Sequence, residues 1–159
     1  MKRLFCASLA IVTALAASER IAQAHCEVPC GIYADQHRFE QMLEDQATIA
    51  KAMGEINKLA DADDALSRNQ LTRWVNTKES HATNIQHIAS QYFLAQRIKP
   101  GKDAAGNKAY VKQLIAAHTV IRAAMKCKQT VDTDNADALK KAILDLYRAY
   151  EGKEPVLHD

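Results

Sequence analysis

The sequence predicts an all-α fold: an antiparallel up-and-down four-helix bundle preceded by a short, chemically distinct N-terminal segment. Three observations predict it. Aromatic residues make up only 6% of the chain, and 5 Gly and 3 Pro in 159 residues leave little turn material for a sandwich or barrel. After residue 35, apolar residues recur at steps of three and four along nearly the whole chain, the period of helices with one buried face. Only Lys99 to Asn107 is rich in turn residues, and the other breaks are short, which sets consecutive helices side by side as antiparallel neighbours. There is no internal repeat, low-complexity tract or two-residue alternation, and the length suits one domain.

Met1-Lys2-Arg3 opens the chain, and an apolar run follows from Leu4 to about Ala17. Ala22-Gln23-Ala24 then supplies the small-x-small pattern that a signal peptidase cuts. Residues 1–24 read as a cleaved leader and residues 25–159 as the mature domain, with the segment 25–33 followed by a bundle over 35–151. The apolar run is shorter than the roughly 18 to 20 residues that a membrane-spanning helix needs, so the mature form is expected to carry no membrane anchor. Such a leader predicts a periplasmic or secreted protein freed by a processing peptidase; a cytoplasmic chain with a dedicated leader peptidase is the alternative. Removing Lys2, Arg3, Arg20 and Glu19 brings the 21 basic and 19 acidic residues to equal numbers. A neutral chain with scattered charges has no footprint for nucleic acid or an anionic membrane surface. Of the 4 cysteines, Cys26, Cys30 and Cys127 survive cleavage, an odd count that argues against a simple disulfide framework.

Phe39, Met42, Ile49, Met53, Ile56 and Ala60, with Gln46 filling the one gap, predict a first helix from about Asp35 to Ala60. Asp61-Ala62-Asp63-Asp64 breaks it and offers acids to cap the next. Leu71, Trp74, Lys78, His81, Ile85, Ile88, Tyr92 and Ala95 predict a second helix from about Asp64 to Ile98, roughly 50 Å long at 1.5 Å per residue. Lys78 and His81 are polar members of that stripe and need partners: for Lys78 an acid or a route to solvent, for His81 a buried group. Val111, Leu114, His118, Ile121 and Met125 predict a third helix from about Lys108 to Lys128, with His118 structural and Cys127 a semi-exposed, unpaired thiol at its end. Ala136, Leu139, Ile143, Leu146 and Tyr150 predict a fourth that stops near Glu151-Gly152, with Pro155 beyond.

The segment with its own chemistry is His25-Cys26-Glu27-Val28-Pro29-Cys30-Gly31-Ile32-Tyr33. Two thiols and an imidazole lie within six residues, directly after the cut. The three-residue gap between Cys26 and Cys30 is not the C-x-x-C of a thioredoxin-type site, and no second cysteine pair completes a tetrahedral zinc site. Cleavage would turn His25 into a free terminus, which adds a primary amine and an adjacent backbone amide to the two thiolates. Two nitrogens and two sulfurs form a planar set that suits divalent nickel or copper and is wrong for zinc. The His25 imidazole can then stand axially, a position a trivalent nickel ion uses and a planar divalent one does not. A local Cys26–Cys30 disulfide in a structural bundle is the plain alternative.

His25-Cys26-x-x-Pro29-Cys30-Gly31-x-Tyr33 resembles the nickel hook of the nickel superoxide dismutase family. Leu71-Thr72-Arg73-Trp74, Lys78-Glu79-x-His81 and Gln91-Tyr92-Phe93 add to the likeness. The resemblance implies an oxidoreductase that converts two superoxide anions and two protons to dioxygen and hydrogen peroxide, with one nickel ion per subunit alternating between Ni(II) and Ni(III). It implies that the metal is held by the His25 amine and imidazole, the Cys26 amide and thiolate, and the Cys30 thiolate, with Pro29 cis. It places Tyr33 over the open face of the metal, where it limits access to small anions and orders water. Glu40, after a one-residue shift in alignment, falls near a glutamate that hydrogen-bonds the axial imidazole. His81 stands where the best-known members have an arginine in that network, and Glu27 replaces an aspartate usual in the hook. The resemblance also implies a homohexamer. The other reading of the same residues is a non-enzymatic exported carrier that holds nickel or copper on the terminal chelate.

Overall fold

The computed structural model describes residues 35–156; the leader, His25, Cys26, Cys30 and Tyr33 lie outside the described residues. Helix α1 covers Asp35–Leu59 and α2 covers Ala65–His87, running on without a break into a π-helical segment, Ile88–Arg97. Helices α3, Ala104–Gln129, and α4, Asp134–Glu151, follow. No strand occurs among the described residues.

Local chemistry sets the helix ends. Asp64 lies in extended backbone before α2, and its carboxylate accepts the amides of Leu66 and Ser67, both at 3.0 Å. Asp103 does the same for α3, accepting the Gly106 amide at 2.7 Å, so the helix starts at Ala104 and not at the expected Lys108. Gly106, which reads as turn material in the sequence, is thereby taken into the first helical turn. That turn passes so close to Gly101 that a Cβ there would lie 2.1 Å from the Gly106 carbonyl carbon, so only glycine fits. Gly152, at φ 69, closes α4 in the left-handed conformation, its amide donating to Arg148 O at 3.1 Å.

Each helix packs on the next, and α4 closes back on α1. Cross-links show the alternating direction. Tyr147 near the end of α4 donates to Gln36 at the start of α1, 2.9 Å. Asn57 near the end of α1 donates to Val131 O in the α3–α4 connection, 3.0 Å. The start of α1, the π segment and the end of α4 therefore share one end of the bundle, called the head below. The core is built from Phe39, Met42, Ile49 and Met53 of α1 and Ile85, Phe93, Val120, Leu139, Ile143, Leu146 and Tyr147 of the other elements.

Two expected faces are corrected. On α3 the buried residues are Ala117, Val120, Ala124 and Cys127, one position back from the expected stripe; Val111 and Met125 are 50% and 44% exposed, and His118 faces out beside Arg122 and Lys126. The small alanines let the neighbouring helices come close and bury that side. Cys127 is consequently fully buried, not semi-exposed, its thiol donating to Asn135 O at 3.3 Å. Burial pushes its pKa up to about 11, with the Lys78 ammonium pulling the other way. At the other departure, Ala95 is exposed and Phe93 buried because the π winding rotates the face after Ile88; Ala60 lies past the end of α1 and is exposed.

Lys78 finds its acid and more. It is 3% exposed, and its Nζ donates to Glu79 Oε1 at 2.9 Å, Cys127 O at 2.8 Å and Lys128 O at 2.6 Å. All three ammonium protons are used, two of them on last-turn carbonyls of α3 that have no partner within the helix. A lysine of α2 thus caps α3. Lys78→Met keeps the apolar stem and removes these bonds; the expected loss is about 2 to 3 kcal/mol, read as a lower urea midpoint at unchanged slope. An unmoved midpoint would show that the cap contributes nothing.

Candidate active site at the head of the bundle

Helix α1 begins at Asp35, two residues after Tyr33, so in the chain the His25–Tyr33 segment leads directly into the head. The floor beneath this junction is aromatic. Phe39 lies at the centre, its ring 4.6 Å from Phe93, 4.9 Å from Tyr147 and 6.0 Å from Tyr150 between centroids, while Tyr92 meets Phe93 edge-on at 5.2 Å. Tilted and edge-to-face arrangements of this kind pack best for rings with negative faces and positive edges. Arg38 and Arg97 place their guanidinium carbons 5.2 and 6.0 Å from the Tyr92 ring centre.

Asp35 is the polar centre above that floor. Its Oδ1 accepts from Tyr92 Oη at 2.5 Å, and its Oδ2 from Arg97 Nη2 at 2.6 Å and Tyr150 Oη at 2.7 Å. Burial alone would raise the Asp35 pKa, but the bonds from Arg97, Tyr92 and Tyr150 outweigh it and hold the carboxyl below its usual range. Burial and the Asp35 bond push Tyr92 up to about 12, and the same two causes push Tyr150 to about 12. Arg97 is held protonated more firmly still, first by Asp35 and then by Tyr150. The hub is a fixed ion pair with two neutral phenols.

Glu40 lies one turn further along α1. Gln36 Nε2 donates to Glu40 Oε1 and to Val156 O, both at 2.9 Å, while Gln36 Oε1 accepts from Tyr147 Oη. The half-buried carboxylate of Glu40 keeps its other oxygen without a partner among the described residues. His81 has the buried partner its stripe position demands. Its Nδ1 lies 2.6 Å from Asp45 Oδ1, and Asn84 Nδ2 donates to Asp45 Oδ2 at 2.7 Å. Asp45 is only 6% exposed. A carboxylate at that distance accepts a hydrogen bond from the Nδ1 proton, and the rest of the ring is partly exposed.

The structure does not join Glu40 to His81. Asp45, which holds His81, lies five residues beyond Glu40 on α1, about 7.5 Å along the axis and roughly 140° around it, and the two carboxylates take separate partners. Asp35, Asp45 and Arg97 are additional polar residues that sequence reasoning missed. An acid at position 45, inside the α1 stripe between Met42 and Ile49, was the one available signal of a partner for His81. Among the described residues no group of three or more His, Cys, Asp or Glu is placed to hold a metal ion.

A family model described as nickel-containing superoxide dismutase matches residues 20–154, which include both the His25–Tyr33 segment and all four helices. No curated protein and no solved structure matches the chain.

Proposed function

The chain belongs to the nickel-containing superoxide dismutase family, and from that premise we propose that its metal is held by the His25 amine and imidazole, the Cys26 amide nitrogen and thiolate, and the Cys30 thiolate. The protein is a nickel-dependent superoxide dismutase, an oxidoreductase converting superoxide to dioxygen and hydrogen peroxide. The family match across both segment and bundle carries the functional conclusion. The donor set supports the ligand assignment, because two thiolates beside two backbone nitrogens and an imidazole are donors that would suit nickel and not zinc. Bound there, nickel supplies one-electron redox chemistry at neutral pH.

This chain's own residues supply the rest of the proposal. Tyr33 limits approach to the metal to small anions and holds water for proton delivery. The free oxygen of Glu40 serves as acceptor for a ring N–H of His25, fixing its tautomer as partners beyond a metal's ligands commonly do. His81, oriented by Asp45, presents its other ring nitrogen at the α1–α2 face. A peptidase cutting after Ala24 frees the terminal amine, the mature enzyme assembles as a homohexamer, and it acts in the periplasm or outside the cell.

Loading the chain that starts at His25 with one nickel ion per subunit is expected to give superoxide turnover that metal-free and zinc-loaded protein lack. Nickel bound one-to-one with no turnover would make the chain a carrier and overturn the reading.

A further inference from the structure

The Asp35 hub does more than an ordinary helix start requires. A carboxylate in a first turn is favoured by the helix dipole alone and needs no distant partner. Asp35 instead takes three long-range donors, Tyr92 and Arg97 from the π segment and Tyr150 from α4, with its side chain 15% exposed. The π winding makes this convergence achievable. Tyr92 and Arg97 are five residues apart, which in an α-helix would turn their side chains roughly 140° away from each other. In the segment that contains them the backbone bonds run over five residues, as in Ile98 N to Phe93 O at 2.8 Å, which brings residues five apart onto one face. An unfavourable helix geometry is thus kept where it aims two donors at one carboxylate.

We propose that Asp35 is the positioning residue for the metal-binding segment: clamped by Tyr92, Arg97 and Tyr150, it sets where and in what direction residues 25–33 leave the bundle. The inference rests on the ligand assignment above. Chain geometry makes the coupling short, since Tyr33 lies within about 7 Å of Asp35 between Cα atoms and Cys30 within about 18 Å even when fully extended. Metal–ligand distances tolerate only about 0.2 Å, so a fixed start of α1 narrows the positions open to donors tethered this closely.

The test uses chains beginning at His25: the parent, Asp35→Asn, Tyr150→Phe, and Asp64→Asn as a helix-cap control at the α1–α2 connection. In metal-free protein, amide hydrogen exchange at Phe39 to Met42, whose helical bonds close the first turn of α1, is expected to quicken roughly tenfold or more in Asp35→Asn. The scale is that of one lost hydrogen bond to a charged group. Tyr150→Phe is expected to move the same amides less, and Asp64→Asn to leave them unchanged. After nickel loading, the nitrogen splitting of the nickel(III) electron-spin signal is expected to broaden or fall in Asp35→Asn at unchanged nickel content, and to stay sharp in Asp64→Asn. Parent-like exchange and a parent-like spin signal in Asp35→Asn would overturn the proposal. If Asp35→Asn loses its helical content, Tyr150→Phe decides on the same two readouts. A parent chain that loads no nickel would defeat the ligand assignment alone, and the metal-free exchange would then decide whether Asp35 clamps the first turn.

Discussion

Cys26→Ser and Cys30→Ser variants of the chain beginning at His25 are expected to turn over superoxide no faster than metal-free protein, while melting within a few degrees of the parent. A serine hydroxyl stays protonated at neutral pH and would offer nickel no soft anionic donor in place of the thiolate. The bundle should not notice, because its core from Phe39 to Tyr147 contains neither cysteine. Cys127 provides the internal contrast. Its thiol is buried against Asn135 O and held protonated, so Cys127→Ala is expected to lose some stability and leave turnover per bound nickel unchanged. Parent-level turnover in Cys30→Ser would remove that residue from the ligand set.

Phe39→Ala is expected to cost about 4 kcal/mol, the largest stability loss from a single truncation at the head. The ring is fully buried and touches Phe93, Tyr147 and Tyr150, three rings drawn from two other elements, so the vacated space has no one neighbour able to fill it. Against a typical domain stability of roughly 5 to 15 kcal/mol, that is a large fraction, and the melting temperature should drop by more than about 10 °C. Urea denaturation at constant slope measures it. A loss under about 1 kcal/mol would mean that the head is not packed around Phe39.

How legible the molecule was depends on how far apart the interacting residues are in the chain. The helices were readable because their stripes are local, and α1 and α4 end within a residue or two of where the pattern stops. The family was legible for the same reason: the residues that carry the resemblance, His25 to Tyr33, are contiguous, and the matching family model spans them. Lys78 and His81 announced that they needed partners by being polar in an apolar stripe, but Cys127 O and Asp45 lie too far along the chain for any spacing to name them. Asp35 was hidden by a sufficient local explanation, since an acid at a helix start attracts no further question. The face of α3 was misjudged because alanine weighs little in a hydrophobic count, yet Ala117 and Ala124 are the residues that allow close helix approach. The π segment has no periodic signature of its own, and with it went Arg97 as a partner of the α1 start.

The central claim is that proteolysis after Ala24 creates the metal site by freeing the amine of His25. The most direct measurement compares two nickel-loaded proteins, residues 25–159 with a native His25 terminus and residues 24–159 in which Ala24 converts that amine to an amide. The account predicts a nickel(III) electron-spin signal and superoxide turnover in the first and neither in the second; equal turnover in both would contradict it.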